Sequence, residues 1–210
     1  MTRTGGQARR RRLLEEAIRQ FGKQGYLGTS LESVAAAVGV RKQTLLYYFS
    51  TKEALLGACV LEASRRVATA LTEALEAETS PSKKANAVIH TLFELAAQWP
   101  EFPQFVREAG RLGPDVVQEF AAVLEPLRMR ALVFLERGMK EGQIRRQDPA
   151  LLLFTLYTAV VGSLTEASVL SAVVGMDKGR ASLHRREREV IAFVRGALTP
   201  KDEAPTSGTP

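Results

Sequence analysis

The stretch from Ser30 to Leu55, SLESVAAAVGVRKQTLLYYFSTKEAL, reads as two short helices joined by a glycine turn and opening at once into a third. Leu31, Val34, Ala35 and Val38 recur at i, i+3, i+4 and i+7, so one face of the first helix must be buried. Thr29 with Glu32, and Ser50 with Glu53, fit capping boxes. They start one helix near Ser30 and place Lys52 in the first turn of another. Gly39 gives a tight inter-helix turn the backbone freedom it needs, and Val40 can fill the angle between the helices. In the second helix Leu45 and Phe49 lie one turn apart and point inward. That leaves Arg41, Lys42, Gln43, Thr44, Tyr47 and Tyr48 on the outer surface.

Charge is segregated to the same quarter of the chain. Met1 to Lys52 holds ten Lys and Arg against three Asp and Glu, whereas the remainder holds nineteen against twenty. A polyphosphate partner explains this, because each basic side chain placed on a phosphate releases a condensed counterion. Double-stranded DNA is therefore the expected partner. The run Arg9 to Arg12 reads either as a flexible arm tracking the DNA backbone or minor groove, or as a solvated basic tail.

Gly25-Tyr26, Thr29-Ser30, Val34-Ala35, Gly39-Val40, Leu45, Tyr47-Tyr48-Phe49 and Thr51-Lys52-Glu53 together resemble the TetR family of bacterial transcriptional regulators over about fifty residues. Gln43, Leu46 and Tyr48 depart from the commonest form of that pattern, which bears on the operator sequence and not on the fold. The resemblance implies an all-α protein of about nine helices. A helix-turn-helix DNA-binding domain (1–52) would be followed by a larger effector-binding and dimerisation domain (53–198), with a disordered tail (199–210). It also implies a palindromic operator, a homodimer formed by the last two long helices, and a small-molecule effector.

Base-edge reading falls by chemistry to Arg41, Lys42, Gln43 and Thr44, since arginine or lysine favours guanine and glutamine favours adenine. Phosphate contacts fall to Ser30, Tyr47, Tyr48 and Lys52, the last helped by a helix N-terminus. Core packing is the competing role for Tyr47. For an effector pocket the large aromatics available are Phe93, Trp99, Phe102, Phe105, Phe120 and Tyr157, with His90 as a polar candidate. Each competes with plain core, and His90 reads as a satisfied boundary histidine before a metal ligand.

The rest of the chain is helical in pattern, with 45% apolar and 25% charged residues, an ordinary globular balance. Leu14, Ala17, Ile18 and Phe21 stripe the first helix, so the basic N-terminus leads into an amphipathic segment and no signal peptide is expected. Ser80-Pro81 opens a helix lasting to Trp99-Pro100, and Gly113-Pro114 opens another, kinked at Pro126 and closed by Gly142. Asp148-Pro149 opens an apolar one running to Gly175, and the last spans Arg186 to Leu198. The uncharged run 149–165 falls short of the roughly 20 residues a membrane span needs. Its Gly162, Ser163, Ala167 and Ser171 side would admit a second helix closely. Pairs such as Arg185-Arg186 read as solvated faces.

One cysteine, Cys59, excludes an internal disulfide and reads as a small core residue, with redox sensing as the lesser alternative. Two histidines, no Gly-rich phosphate loop, no GxSxG and no metal-spaced cluster argue against an enzyme, a cofactor or a metal. The expectation is a cytoplasmic, nucleoid-associated repressor with no membrane partner. Two competitors remain: a DNA-bound protein of the same fold acting through a protein partner in nucleoid or division control, and a helical protein of the membrane surface.

Overall fold

The computed structural model describes residues 3–78, 80–177 and 179–200. They form ten helices and no strand: α1 (Arg3–Gly28), α2 (Leu31–Val38), α3 (Lys42–Tyr48), α4 (Lys52–Ala77), α5 (Pro81–Gln98), α6 (Phe102–Arg111), α7 (Pro114–Lys140), α8 (Pro149–Thr165), α9 (Ala167–Val174) and α10 (Arg180–Leu198). The expected boundaries at Ser80-Pro81, Gly113-Pro114 and Asp148-Pro149 are N-caps followed by proline. Asp148 Oδ1 accepts from the N–H groups of Ala150 and Leu151, at 2.8 and 2.9 Å.

Several expectations are corrected. The segment from Pro149 does not continue as one helix to Gly175; it breaks at Glu166 and turns through 85° into α9, which raises the helix count above nine. The corner is held from two sides. Arg186 of α10 donates to the Ser163 carbonyl, Gln104 of α6 donates to the Thr165 carbonyl at 3.1 Å, and Arg107 pairs with Glu166 at 3.5 Å. These donors satisfy carbonyls that a helix end leaves orphaned. Arg186 is thus half-buried and not a solvated charge, and burial holds its guanidinium below its ordinary pKa. The last helix also starts earlier than expected, at Arg180. Pro126 lies inside α7, as expected. Of the expected tail, residues 201–210 lie outside the described residues.

One core runs without interruption from α1 through α2, α3 and α4 into α6. Leu14, Ile18, Phe21, Val34, Leu45, Phe49, Leu55, Cys59 and Phe105 are buried in it, and Trp99 and Phe120 pack on its margin. Cys59 is fully enclosed; burial pushes its thiol up, which disfavours the reactive thiolate. Two smaller clusters lie beyond: Ile89, Phe93, Val160 and Val194, and then Leu135, Met139, Ile144 and Leu152. Among the described residues no single helix is long and apolar enough to cross a membrane.

Candidate nucleic-acid interface

The geometry of the helix-turn-helix follows from its caps. The start of α2 is a capping box, but its members are Ser30 and Ser33 and not Thr29 and Glu32. Ser30 Oγ accepts from Ser33 N–H at 3.0 Å, and Ser33 Oγ accepts from Ser30 N–H at 3.2 Å. Thr29 is buried instead, its hydroxyl donating to the Gly25 carbonyl at 2.9 Å. A serine at the third helical position closes the box as well as the glutamate that the pattern anticipates, and Ser33 Oγ also donates to Gln20 Oε1 at 2.6 Å. Gln20, buried in α1, thereby fixes the angle of α2.

At the other end of α2, Gly39 takes φ 76° and ψ 32°. The Val40 N–H reaches the Ala35 carbonyl and the Gly39 N–H the Ala36 carbonyl, each at 3.0 Å, a Schellman closure that turns the chain into α3. A Cβ there would meet nothing within 4 Å, so the requirement for glycine is one of backbone alone.

The helix α3 packs chiefly on α2, with Leu45 and Phe49 buried and Arg41, Lys42 and Gln43 exposed. Thr44 is half-buried. The two tyrosines divide their work. Tyr47 is 84% exposed, which excludes core packing for it. Tyr48 is the half-buried one, edge-on to Tyr47 at 5.2 Å between ring centroids and packed on the core. Its ring therefore braces Tyr47.

The run Arg9 to Arg12 is helical, part of α1, and not a flexible arm. Arg10 lies over the Phe49 ring at 5.1 Å, and Arg12 Nη2 donates to the Val38 carbonyl at 3.2 Å. Arg11 pairs loosely with Glu15 at 3.8 Å. Two of the four arginines thus clamp α2 and α3 onto α1. Lys42 is paired with Glu32, and this hydrogen bond holds the Glu32 carboxyl below its ordinary range. Any DNA contact by Lys42 exchanges or shares that partner.

Lys52 enters from the N-terminus of α4, which is capped by Thr51 accepting from Ala54 N–H at 3.0 Å; Ser50 is not the cap expected. The Lys52 ammonium stands 4.2 Å from the centroid of the Tyr26 ring. Tyr26 was not assigned a role by sequence, yet it is the hub of this corner. Its hydroxyl donates to Glu53 Oε1 at 2.7 Å, and its backbone N–H donates to Glu108 Oε1 of α6, also at 2.7 Å. Burial first, then the hydrogen bond to Glu53, pushes its phenol up to about 12. Glu53 is held below the ordinary carboxylate range by the same bond.

Gly25, with φ 74°, kinks α1 sharply just before its last turn and so frees the Tyr26 N–H, and a Cβ on it would stand 3.0 Å from Glu108 Oε1. The α1–α6 contact is closed further by Lys23 with Glu101 at 3.2 Å. Glu108→Ala is expected to lower the unfolding free energy by about 1–3 kcal/mol, because it orphans the Tyr26 N–H. Glu108→Gln, which restores an acceptor, should recover most of that loss in urea denaturation. Equal losses in both variants would show that the bond does not matter.

The seven residues considered for an effector pocket do not converge. Phe102 and Phe105 are buried in the first core, with Trp99 and Phe120 against it, while Phe93 is buried in the second cluster. Tyr157 is exposed on α8. His90 is exposed and bonds Glu187 at 2.7 Å; His184 faces the other oxygen of that carboxylate at 3.6 Å. None of the seven lines either of the two cavities described here. Among the described residues no group of three His, Cys, Asp or Glu is arranged to hold a metal ion.

An all-α chain with a basic, exposed second helix of a helix-turn-helix is a DNA-binding protein of the class that reads duplexes through that helix. Residues 13–59 match the family described as bacterial regulatory proteins, tetR family. The HTH-type transcriptional regulator RutR of Escherichia coli K12 is 28% identical over 169 residues, 80% of this chain and 79% of that one. Among solved structures, FadR from Bacillus subtilis in complex with stearoyl-CoA superposes with a TM-score of 0.75 at 17% identity, covering 90% of this chain and 98% of its own. AibR in complex with isovaleryl coenzyme A and operator DNA superposes at 0.70 with 19% identity, covering 89% and 97%. Residues 13–59 thus carry the helix-turn-helix segment of that family, and over most of its length the chain is similar to a helix-turn-helix transcriptional regulator.

Proposed function

We propose that this regulator is a repressor that binds a palindromic operator as a homodimer and is released by a small, largely apolar effector. The observation that carries the DNA half of this reading is the face of α3, where Arg41, Lys42, Gln43 and Tyr47 all stand exposed beside the capped N-terminus of α4. Arg41, Lys42, Gln43 and Thr44 read base edges; Tyr47, Lys52 and Ser30 meet phosphates, and Tyr48 braces Tyr47. Residues 1–52 are the reading head, and 53–198 sense and dimerise. The protein acts on the cytoplasmic nucleoid. The effector half is supported by the coenzyme A complexes of FadR and AibR, which share the fold.

Dimerisation is supported by apolar side chains left in water. Leu151 and Phe154 on α8 are 65% and 64% exposed, Phe193 on α10 is 56% exposed, and Tyr157 continues the α8 face. A contiguous apolar stripe on a soluble domain marks an interface, and two copies joined here by a two-fold axis can reach successive major grooves about 34 Å apart. Phe154→Arg is expected to weaken self-association by about tenfold or more, read as a shift from two chains to one in light scattering at micromolar concentration.

Selection of bound duplexes from a random pool tests the whole reading. A palindrome should emerge. Recovery of duplexes with no shared sequence would overturn the operator reading and favour an architectural protein spread over many sites.

A further inference from the structure

We propose that the cavity between α5, α7 and α10 binds a small monocarboxylate with a short alkyl chain. This rests on the ligand-responsive reading above and deepens it by naming a place and a chemical class. The cavity measures about 310 Å³ and is walled by Phe134 of α7, Ile144 of the following loop, and Val194 and Leu198 of α10, with Ala85 of α5 opposite. Small-molecule sites span about 300–1,000 Å³, so this one takes a short chain and has no room for a coenzyme A nucleotide.

The polar part of the lining decides the head group. Arg195 is the charged residue among the described lining; no acidic residue is there, and Asn86 and Gln143 add neutral amides. Arg195 is exposed, which sets its charge on the solvent side of an apolar chamber. A guanidinium offers a carboxylate two parallel hydrogen bonds. An alcohol of equal chain length gains the wall but forgoes the ion pair, and an amine meets a like charge.

The position suits regulation. The cavity wall includes α7, which packs along α4, and α4 begins with Lys52 beside the DNA-reading helix. Its other wall, α10, belongs to the helix pair carrying the exposed dimer stripe. An occupant therefore acts on the separation of two helices that lead to the reading head and to the partner copy.

Isothermal titration calorimetry of the full chain without DNA, using sodium hexanoate, hexanol and hexylamine, tests the site. Hexanoate should bind at least tenfold more tightly than hexanol, and hexylamine should not bind. Arg195→Gln should reduce hexanoate to the level of hexanol; Ala85→Phe, which fills the chamber, should abolish both. Melting temperatures verify that each variant is folded, and Arg195 is an exposed position whose replacement leaves the core intact.

Hexanoate binding no tighter than hexanol, or unchanged in Arg195→Gln, overturns the proposal. Operator affinity is then measured with and without hexanoate. Calorimetric binding without operator release leaves the site standing and removes the ligand-responsive reading, whereas failed binding with intact operator affinity removes only the site.

Discussion

Urea denaturation of Phe21→Ala is expected to show a loss of about 3–5 kcal/mol, the range for truncating a fully buried phenylalanine. Phe21 has no solvent exposure, and it stacks on Tyr26 at 5.7 Å and on Phe105 of α6 at 6.5 Å between ring centroids. The cavity left by its removal would open where α1, the kink at Gly25 and α6 meet. Because those three surfaces share one core, the variant should still unfold in a single transition, with circular dichroism and tyrosine fluorescence coincident. A loss below 1 kcal/mol, or two separated transitions, would mean that the reading head and α6 fold independently.

The second large effect concerns recognition. Arg41→Ala combined with Gln43→Ala should weaken binding to the selected operator by about 2–4 kcal/mol, roughly thirtyfold to a thousandfold, since each good bidentate base contact contributes about 1–3 kcal/mol. Both residues are exposed and neither packs in the core, so melting temperature should not move. Gln43→Ala alone should change which bases the selection recovers. Lys52→Ala should instead weaken all duplexes alike and reduce the slope of log K against log salt by about 1. Preference altered by Lys52→Ala and untouched by Gln43→Ala would reverse the two roles.

The helix-turn-helix was legible in the sequence because its determinants are local. The apolar period of α2, the glycine at its end and the inward pair Leu45 and Phe49 all act within a few residues. What was missed depends on partners distant in the chain. Tyr26 gains its importance from Glu108, 82 residues away, and Gln20 from Ser33 on another helix. Arg10 and Arg12 look like a free basic arm until Phe49 and the Val38 carbonyl are placed beside them.

Two further features left a local signal in the sequence. Phe102, Phe105, Val106 and Ala109 hold the helical period of α6, although Phe102 and Phe105 also stand among the aromatics available for a pocket; α6 starts at Phe102 after Glu101, whose side chain makes no cap, so no boundary announces it. Glu166 is the single charged residue between Asp148 and Asp177, and it marks the corner between α8 and α9. The pocket residues were the least legible, since apolar packing and apolar ligand contact use the same side chains.

The unbroken core from α1 into α6 has a bearing on how such regulators can be re-engineered. A chimera joined at residue 52, borrowing the N-terminal segment of a relative, would sever Phe21 from Phe105 and Tyr26 from Glu108. A workable graft has to carry the matching surface of α6 with it. Operator choice in this scaffold is more safely altered by exchanging the few solvent-facing side chains of α3 than by transplanting the segment that bears them.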